Sequence, residues 1–248
     1  MGINAKATIA IAALSVISAI APANAATFTY EDSAPKRGDG LSLTHRAGKY
    51  SNITASFNDQ TDVLNWSSTF TRNKGNNNLS DGAWLVLSDG ENPKNNVDEY
   101  AIMYMDAVNQ KVSIYNYDGE NSANSYKSSD FLGSTALNVI ENGNDEITFE
   151  FSLDATDINN NTNYGADWKG IAFDEEIGLW FHNTSGLHTS YGANGELLDF
   201  SSARSGWYDT SKPFSTTVSA ASVPEPGSVA ALAVFGVAAA TKLRKRIG

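Results

Sequence analysis

Apolar and polar positions alternate strictly along residues 146–153. Ile147, Phe149, Phe151 and Leu153 fall on one side, and Glu146, Thr148, Glu150 and Ser152 on the other. Strand side chains point to opposite faces with period two, so this segment predicts a half-buried β-strand. Two other runs carry the same period. Ile53, Ala55 and Phe57 alternate with Thr54, Ser56 and Asn58, and Leu64, Trp66, Ser68 and Phe70 with Asn65, Ser67, Thr69 and Thr71. The polar residues 58–62 between them predict a hairpin loop. Residues 82–87 and 100–105 are more continuously apolar. Residues 111–117 return after a turn at 107–110. A further hairpin is predicted from 170–173 and 177–182 across Asp174, Glu175 and Glu176, and a weaker strand at 197–200. Residues 129–139 read as a turn of helix or a loop. The Asn-rich stretches 73–78 and 159–163 read as surface loops. Many short strands separated by Asn, Asp and Gly predict an all-β fold, an antiparallel β-sandwich or jelly-roll-like domain.

The two ends follow different rules. Lys6 precedes an apolar stretch, 9–20, which Pro22 breaks before Ala23-Asn24-Ala25. A positive start, a short apolar core and a small-x-small site make up a secretory signal peptide, so residues 1–25 are expected to be removed after Ala25. Near the other end, Pro224-Glu225-Pro226 comes before an apolar run, 229–240, and then Lys242, Arg244, Lys245 and Arg246. The run is shorter than the roughly 20 apolar residues of a comfortable span. Gly227, Ser228 and Thr241 extend it, and basic stems can reach the interface. The basic tip is expected to stay cytoplasmic, which leaves the bulk of the chain outside the inner membrane. Proline favours extended backbone, so 223–226 should be an accessible strip beside the bilayer.

These ordered features resemble the PEP-CTERM sorting signal of Gram-negative surface proteins, over residues 223–246. The resemblance implies a substrate of exosortase, a transpeptidase-like membrane enzyme that cuts near the motif and passes the protein toward the surface. By that resemblance Pro224, Glu225 and Pro226 are the recognition element, 229–240 the transmembrane helix, and Arg244, Lys245 and Arg246 the stop. The implied product is a cell-surface or extracellular-matrix protein. Between the signals we expect one β-sandwich ectodomain at 26–210 and a flexible Ser/Thr/Ala-rich linker at 211–222.

Composition narrows the partners. Among the 248 residues there is no cysteine, so neither disulfides nor thiol chemistry is available. Residues 26–222 hold 27 Asp and Glu against 12 Lys and Arg. Such an acidic domain is expected to repel nucleic acid.

Candidate chemistry is sparse. His45, His182 and His188 are the only histidines, and no G-x-S-x-G elbow occurs. His182 and His188 flank 183–187 without any standard metal spacing, and read as surface or strand-end residues. Glu146 and Glu150 share one strand face and faintly resemble the Glu-x-Asp-x-Glu strand of laminarinase-type glycoside hydrolases. Thr148 stands where that pattern has Asp. No cofactor is expected. A structural calcium is the one metal considered, on the loops of Asp89, Asp118, Asp154, Asp157 and Asp174, because Asp- and Asn-rich turns can offer several oxygens. Aromatic rings can stack on sugars. Trp180, alternating against Leu179 and Phe181, is the candidate for an exposed ligand-binding ring. The expectation is a non-enzymatic envelope protein serving surface structure, adhesion or a biofilm matrix. A carbohydrate-binding module is the alternative, with extracellular polysaccharide as partner, and a glycan hydrolase is third.

Overall fold

A computed structural model of the chain describes residues 25–35, 41–90, 93–95, 100–119, 123–210 and 213–220. The fold is all-β. One sheet, A, has the spatial order β15 (Thr217–Ala220), β1 (Ala26–Asp32), β3 (Lys49–Asn58), β4 (Val63–Thr71), β10 (Glu146–Asp154) and β9 (Asn138–Glu141). The other, B, runs β2 (Leu41–Leu43), β13 (Tyr208–Thr210), β11 (Glu176–Tyr191), β5 (Gly82–Ser88), β6 (Ala101–Asp106), β7 (Lys111–Asn116) and β8 (Phe131–Ala136). β12 (Leu197–Ser205) and β14 (Phe214–Ser215) also pair with β11. Every pairing between these strands is antiparallel. The hairpins β3–β4 and β5–β6–β7–β8 each stay within one sheet. Between them the chain crosses from sheet to sheet, at β4–β5, β8–β9 and β10–β11 among other places, and so builds a two-sheet sandwich.

The inner faces meet in one core. Ile53, Leu64, Trp66, Phe70 and Phe149 of sheet A lie against Leu85, Met103, Ile114, Leu179 and Phe181 of sheet B. Phe181 is the hinge of this packing, with ring centroids 5.1 Å from Trp66, 5.6 Å from Tyr50 and 5.9 Å from Phe70. Tilted and edge-on aromatic pairs at such spacing stabilise beyond the area they bury. Ile147, Phe149, Phe151 and Leu153 face this core as their alternation predicts.

Three expectations are corrected. Residues 170–173 do not form a hairpin with 177–182. Gly170 makes only an isolated parallel bridge to Tyr100, and Phe214–Ser215 takes the place beside Glu176 and Ile177. Gly170 sits at φ +66°, outside the range of extended strands. Residues 129–139 are not helical. They hold β8 and the first half of β9, edge strands of the two sheets. The linker assigned to 211–222 holds β14 and β15. Thr217–Ala220 pairs with Thr29–Ala26 and covers the free edge of β1. Phe214 packs 5.2 Å from Tyr30. A Ser- and Thr-rich composition suits a linker, but β-branched Thr217 and Val218 suit an edge strand equally well.

Residues 1–24 and 221–248 lie outside the described residues, and with them the signal peptide and the whole sorting signal, Pro224, Glu225, Pro226, Arg244, Lys245 and Arg246 included. No helix among the described residues is long and apolar enough to cross a membrane.

Candidate functional site

The outer face of sheet A is built from the polar half of each alternating strand. Pairing register sets these residues in rows. Thr29 lies opposite Ser56, Ser56 opposite Asn65, and Asn65 opposite Ser152. In the next row Glu31, Thr54, Ser67, Glu150 and Asn138 follow one another across five strands. Within a row, side chains of neighbouring strands are cross-linked. Asn65 Nδ2 donates to Ser56 Oγ at 3.3 Å, and Thr69 and Thr148 share a hydroxyl bond of 2.9 Å. Glu150 accepts from Ser67 Oγ at 3.3 Å and from Asn138 Nδ2 at 3.2 Å, so both its oxygens are engaged.

Over these rows the turn from β8 to β9 raises a wall of Thr135, Ala136, Leu137 and Asn138, with Gln110 beside it. Thr135 Oγ1 donates to the Ser152 carbonyl at 3.2 Å, which ties the wall to the floor. The groove so formed has a volume of about 870 Å³. Its floor presents hydroxyls, amides and one carboxylate. That is the donor and acceptor set that meets sugar hydroxyls. The polar row of β10 is plain in the sequence. The wall is not, because it comes from a segment read as loop or helical turn.

Trp180 does not serve as an exposed ring. It faces outward from sheet B, as alternation indicates, but only 3% of it is exposed. It lies in a second apolar cluster with Trp84, Val86, Ile102, Tyr104, Tyr115, Tyr117, Tyr126, Leu197 and Phe200. The outer half of β11 and β12 fold over this face. Three polar clips hold the β11–β12 hairpin there. Asp81 accepts from the Leu187 amide at 2.9 Å, Asp106 from Thr189 at 2.5 Å and Tyr191 at 2.9 Å, and Lys111 Nζ donates to the Gly195 carbonyl at 2.6 Å. Burial raises the Asp106 carboxyl, but its hydrogen bonds from Thr189, Asn109 and Tyr191 outweigh that and hold it below the usual range. The cluster's tyrosines also serve the backbone. Tyr115 Oη accepts from the Leu197 amide at 2.5 Å, and Tyr126 Oη from the Phe200 amide at 3.2 Å. A phenylalanine at either place would leave a buried amide unpaired.

His182 is likewise not a surface residue. Its ring stacks 4.0 Å from Trp84, and Trp207 lies 6.2 Å away. Burial, reinforced by the Lys94 charge, pushes its pKa down to about 3. His188 lies farther along the same continuous strand and is exposed, so the two do not share a ligand. Burial and the charge of Lys49 lower the pKa of His45.

The paired carboxylates also part. Glu150 lines the sheet A groove, whereas Glu146 opens into a different recess beside Arg72 and bonds Asn142 at 3.0 Å. The aspartates considered for calcium sit on separate loops. Asp89 pairs with Lys169 at 3.0 Å, and Asp118 accepts from Ser128. Asp154 closes its own turn by accepting from Thr156, which lowers its pKa, and Asp174 accepts from the Glu176 amide at 3.3 Å. Asp157 lies in the short helix α1 (Thr156–Asn159). No group of three or more His, Cys, Asp or Glu is placed to hold a metal ion among the described residues.

No protein-family model matches the chain, and no curated protein matches it. One solved structure is similar, reported under pH-induced modulation of Streptococcus parasanguinis adhesion by Fap1 fimbriae. It is 16% identical over 74% of this chain and 94% of its own, at a TM-score of 0.21. A likeness that slight carries no argument about fold or role.

Proposed function

We propose that this chain is an exported envelope or extracellular-matrix protein, sorted through its C-terminal segment by an exosortase-like enzyme, with a non-enzymatic β-sandwich on the outer side. The observation that carries this reading is the order of Pro224-Glu225-Pro226, the apolar run and Arg244-Lys245-Arg246, which resembles the PEP-CTERM signal. The acidic, cysteine-free domain between the two signals fits an exported protein that depends on its own core. Its test is the mass of the mature protein in an exosortase-positive strain and in one lacking the enzyme. Loss of the C-terminal helix in the first strain alone is expected. The same mass in both would overturn the sorting role.

A carbohydrate-binding role is the second reading, and the sheet A groove favours it. Contact there would be made by hydroxyl, amide and carboxylate groups of Thr54, Ser56, Asn65, Asn138 and Glu150, with no exposed aromatic platform. A glycan array probed with the protein and with Asn65→Ala tests it. Array signals that fall at least about fivefold on this substitution are expected, the cost of roughly one lost hydrogen bond. Unchanged signals would remove the groove from recognition.

A further inference from the structure

Positive charge in this acidic domain is not evenly spread. Five of the twelve Lys and Arg in 26–222 gather at one end of the sandwich. Lys49 opens β3, Arg72 follows the end of β4, and Lys74 lies on the next loop. All three line a recess of about 860 Å³ with His45, Asn73 and Asn77. Arg46 and Arg204 stand on the adjoining chain. The Arg46 carbonyl accepts from Asn76 at 3.0 Å and from Asn78 at 2.9 Å, and Arg204 donates to Asn78 at 3.2 Å.

Among the described residues, two carboxylates line the same recess, Asp145 and Glu146. Asp145 is taken up by Arg72, at 3.1 Å. Arg72 also donates to the Asn77 carbonyl at 2.9 Å and to that of Asn144, so it pins the loops that shape the recess. Lys49, Lys74 and Arg46 are exposed and make no ion pair among the described residues. The local balance is thus inverted against the rest of the domain. A concave site with like charges converging on it attracts counter-ions by focusing the field.

The recess also has a direction. Ala220, where the chain leaves sheet A, pairs with Ala26, and Ala26 bonds Asp59 beyond the far end of β3. Lys49 is at the opposite end of that ten-residue strand, about 30 Å away at ~3.3 Å per residue. If the chain is tethered beyond Ala220, as proposed above, this recess is at the tip turned away from the membrane.

We propose that this recess binds the carboxylate groups of an acidic polysaccharide, a uronate-type chain. This names a partner for the surface role above and depends on it only for the orientation. Two features favour a carboxylated sugar chain over nucleic acid. Lys49 and Lys74 supply charge while the side chains of Thr71 and Asn77 beside them offer hydrogen bonds suited to sugar hydroxyls. The acidic surface around the recess would also meet the dense phosphates of a duplex, about one charge per 1.7 Å, with repulsion.

The test measures binding of polygalacturonate, of neutral dextran and of duplex DNA to the full chain in detergent, at low and at physiological salt. Polygalacturonate should bind, weaken with salt, and lose at least tenfold in affinity in the double variant Lys49→Gln, Lys74→Gln. Lys127→Gln, elsewhere on the domain, should leave binding unchanged. Both altered lysines are exposed, so the thermal midpoint should stay within about 2 °C, which separates lost binding from lost folding. The proposal is overturned if polygalacturonate fails to bind, if the double variant binds it as well as the parent, or if DNA binds more tightly than the uronate chain. None of these outcomes alters the mass measurement that tests sorting, so the two readings fail separately.

Discussion

The outer faces of the two sheets are opposites. Sheet A turns mostly Thr, Ser, Asn and Glu outward, with Ile140 an exposed apolar exception, and keeps most of its apolar residues on the inner side. Sheet B has apolar residues on both sides, because a hairpin lies across its outer face. The chain signals the difference in its local pattern. β10 alternates strictly, whereas β5 reads Gly-Ala-Trp-Leu-Val-Leu-Ser and is buried at every position. A continuous apolar run marks a strand covered twice, and an alternating one a strand covered once. Two sheets of similar make thus have different work: one is a fastened double layer, the other an open polar surface.

The most severe challenge to this contrast is Trp180→Ala. If the outer face of sheet B is a true core, removing a tryptophan that lies 4.9 Å from Trp84 and 5.9 Å from Tyr117 should cost about 3–5 kcal/mol. Urea denaturation measures it. A cost below about 1 kcal/mol would mean that the covering hairpin leaves this face open to water.

How far this arrangement can be read from the residues alone differs by region. β3, β4 and β10 are legible because their alternation is strong and each faces a single core. Alternation also puts Trp180 on the outer side of β11. It cannot tell that residues some twenty positions later fold back over the ring, so burial of Trp180 is invisible at that level. β8 and β9 are hidden for another reason. Gly133, Ser134, Thr135 and Ala136 are small, and an edge strand with little apolar burial leaves a weak period. The groove wall they make is lost with them. The basic recess is harder still. It joins residues 45–49, 72–77 and 145–146, which only the register of β3, β4 and β10 brings together.

A second test uses acid. His182 belongs to the covered face, and its neutral form is the one the fold accepts. Its pKa is about 3 in the folded protein and near 6.5 when unfolded. Between those values the unfolded chain holds a proton that the folded chain does not, so stability rises with pH there. The contribution is complete above about pH 6.5 and is lost as the pH falls toward 3. From pH 6.5 to 4 the loss is about 3 kcal/mol at 1.36 kcal/mol per unit. Thermal midpoints at pH 7, 5 and 4 should therefore fall more steeply for the parent than for His182→Phe, which keeps the stack on Trp84 and cannot take up the proton. Parallel curves would mean that the imidazole is hydrated in the fold.

The smallest effect is expected on the open face, and it sharpens the comparison most. Thr69 and Thr148 sit directly opposite on β4 and β10 and share one hydroxyl bond. Thr69 is half-buried and Thr148 is 8% exposed, but their neighbours on this face reach solvent, so the bond should add only modestly to stability even though its geometry is good. Single changes to Ala should cost well under 1 kcal/mol apiece beyond the strand preference of threonine, and a double-mutant cycle should give a coupling of about 0.2–1 kcal/mol. The buried tyrosine–amide bonds of sheet B provide the contrast, because there an unpaired donor has no water to turn to. A coupling above about 2 kcal/mol between the threonines would show that the sheet A face is shielded from solvent, and that something other than water normally lies on it.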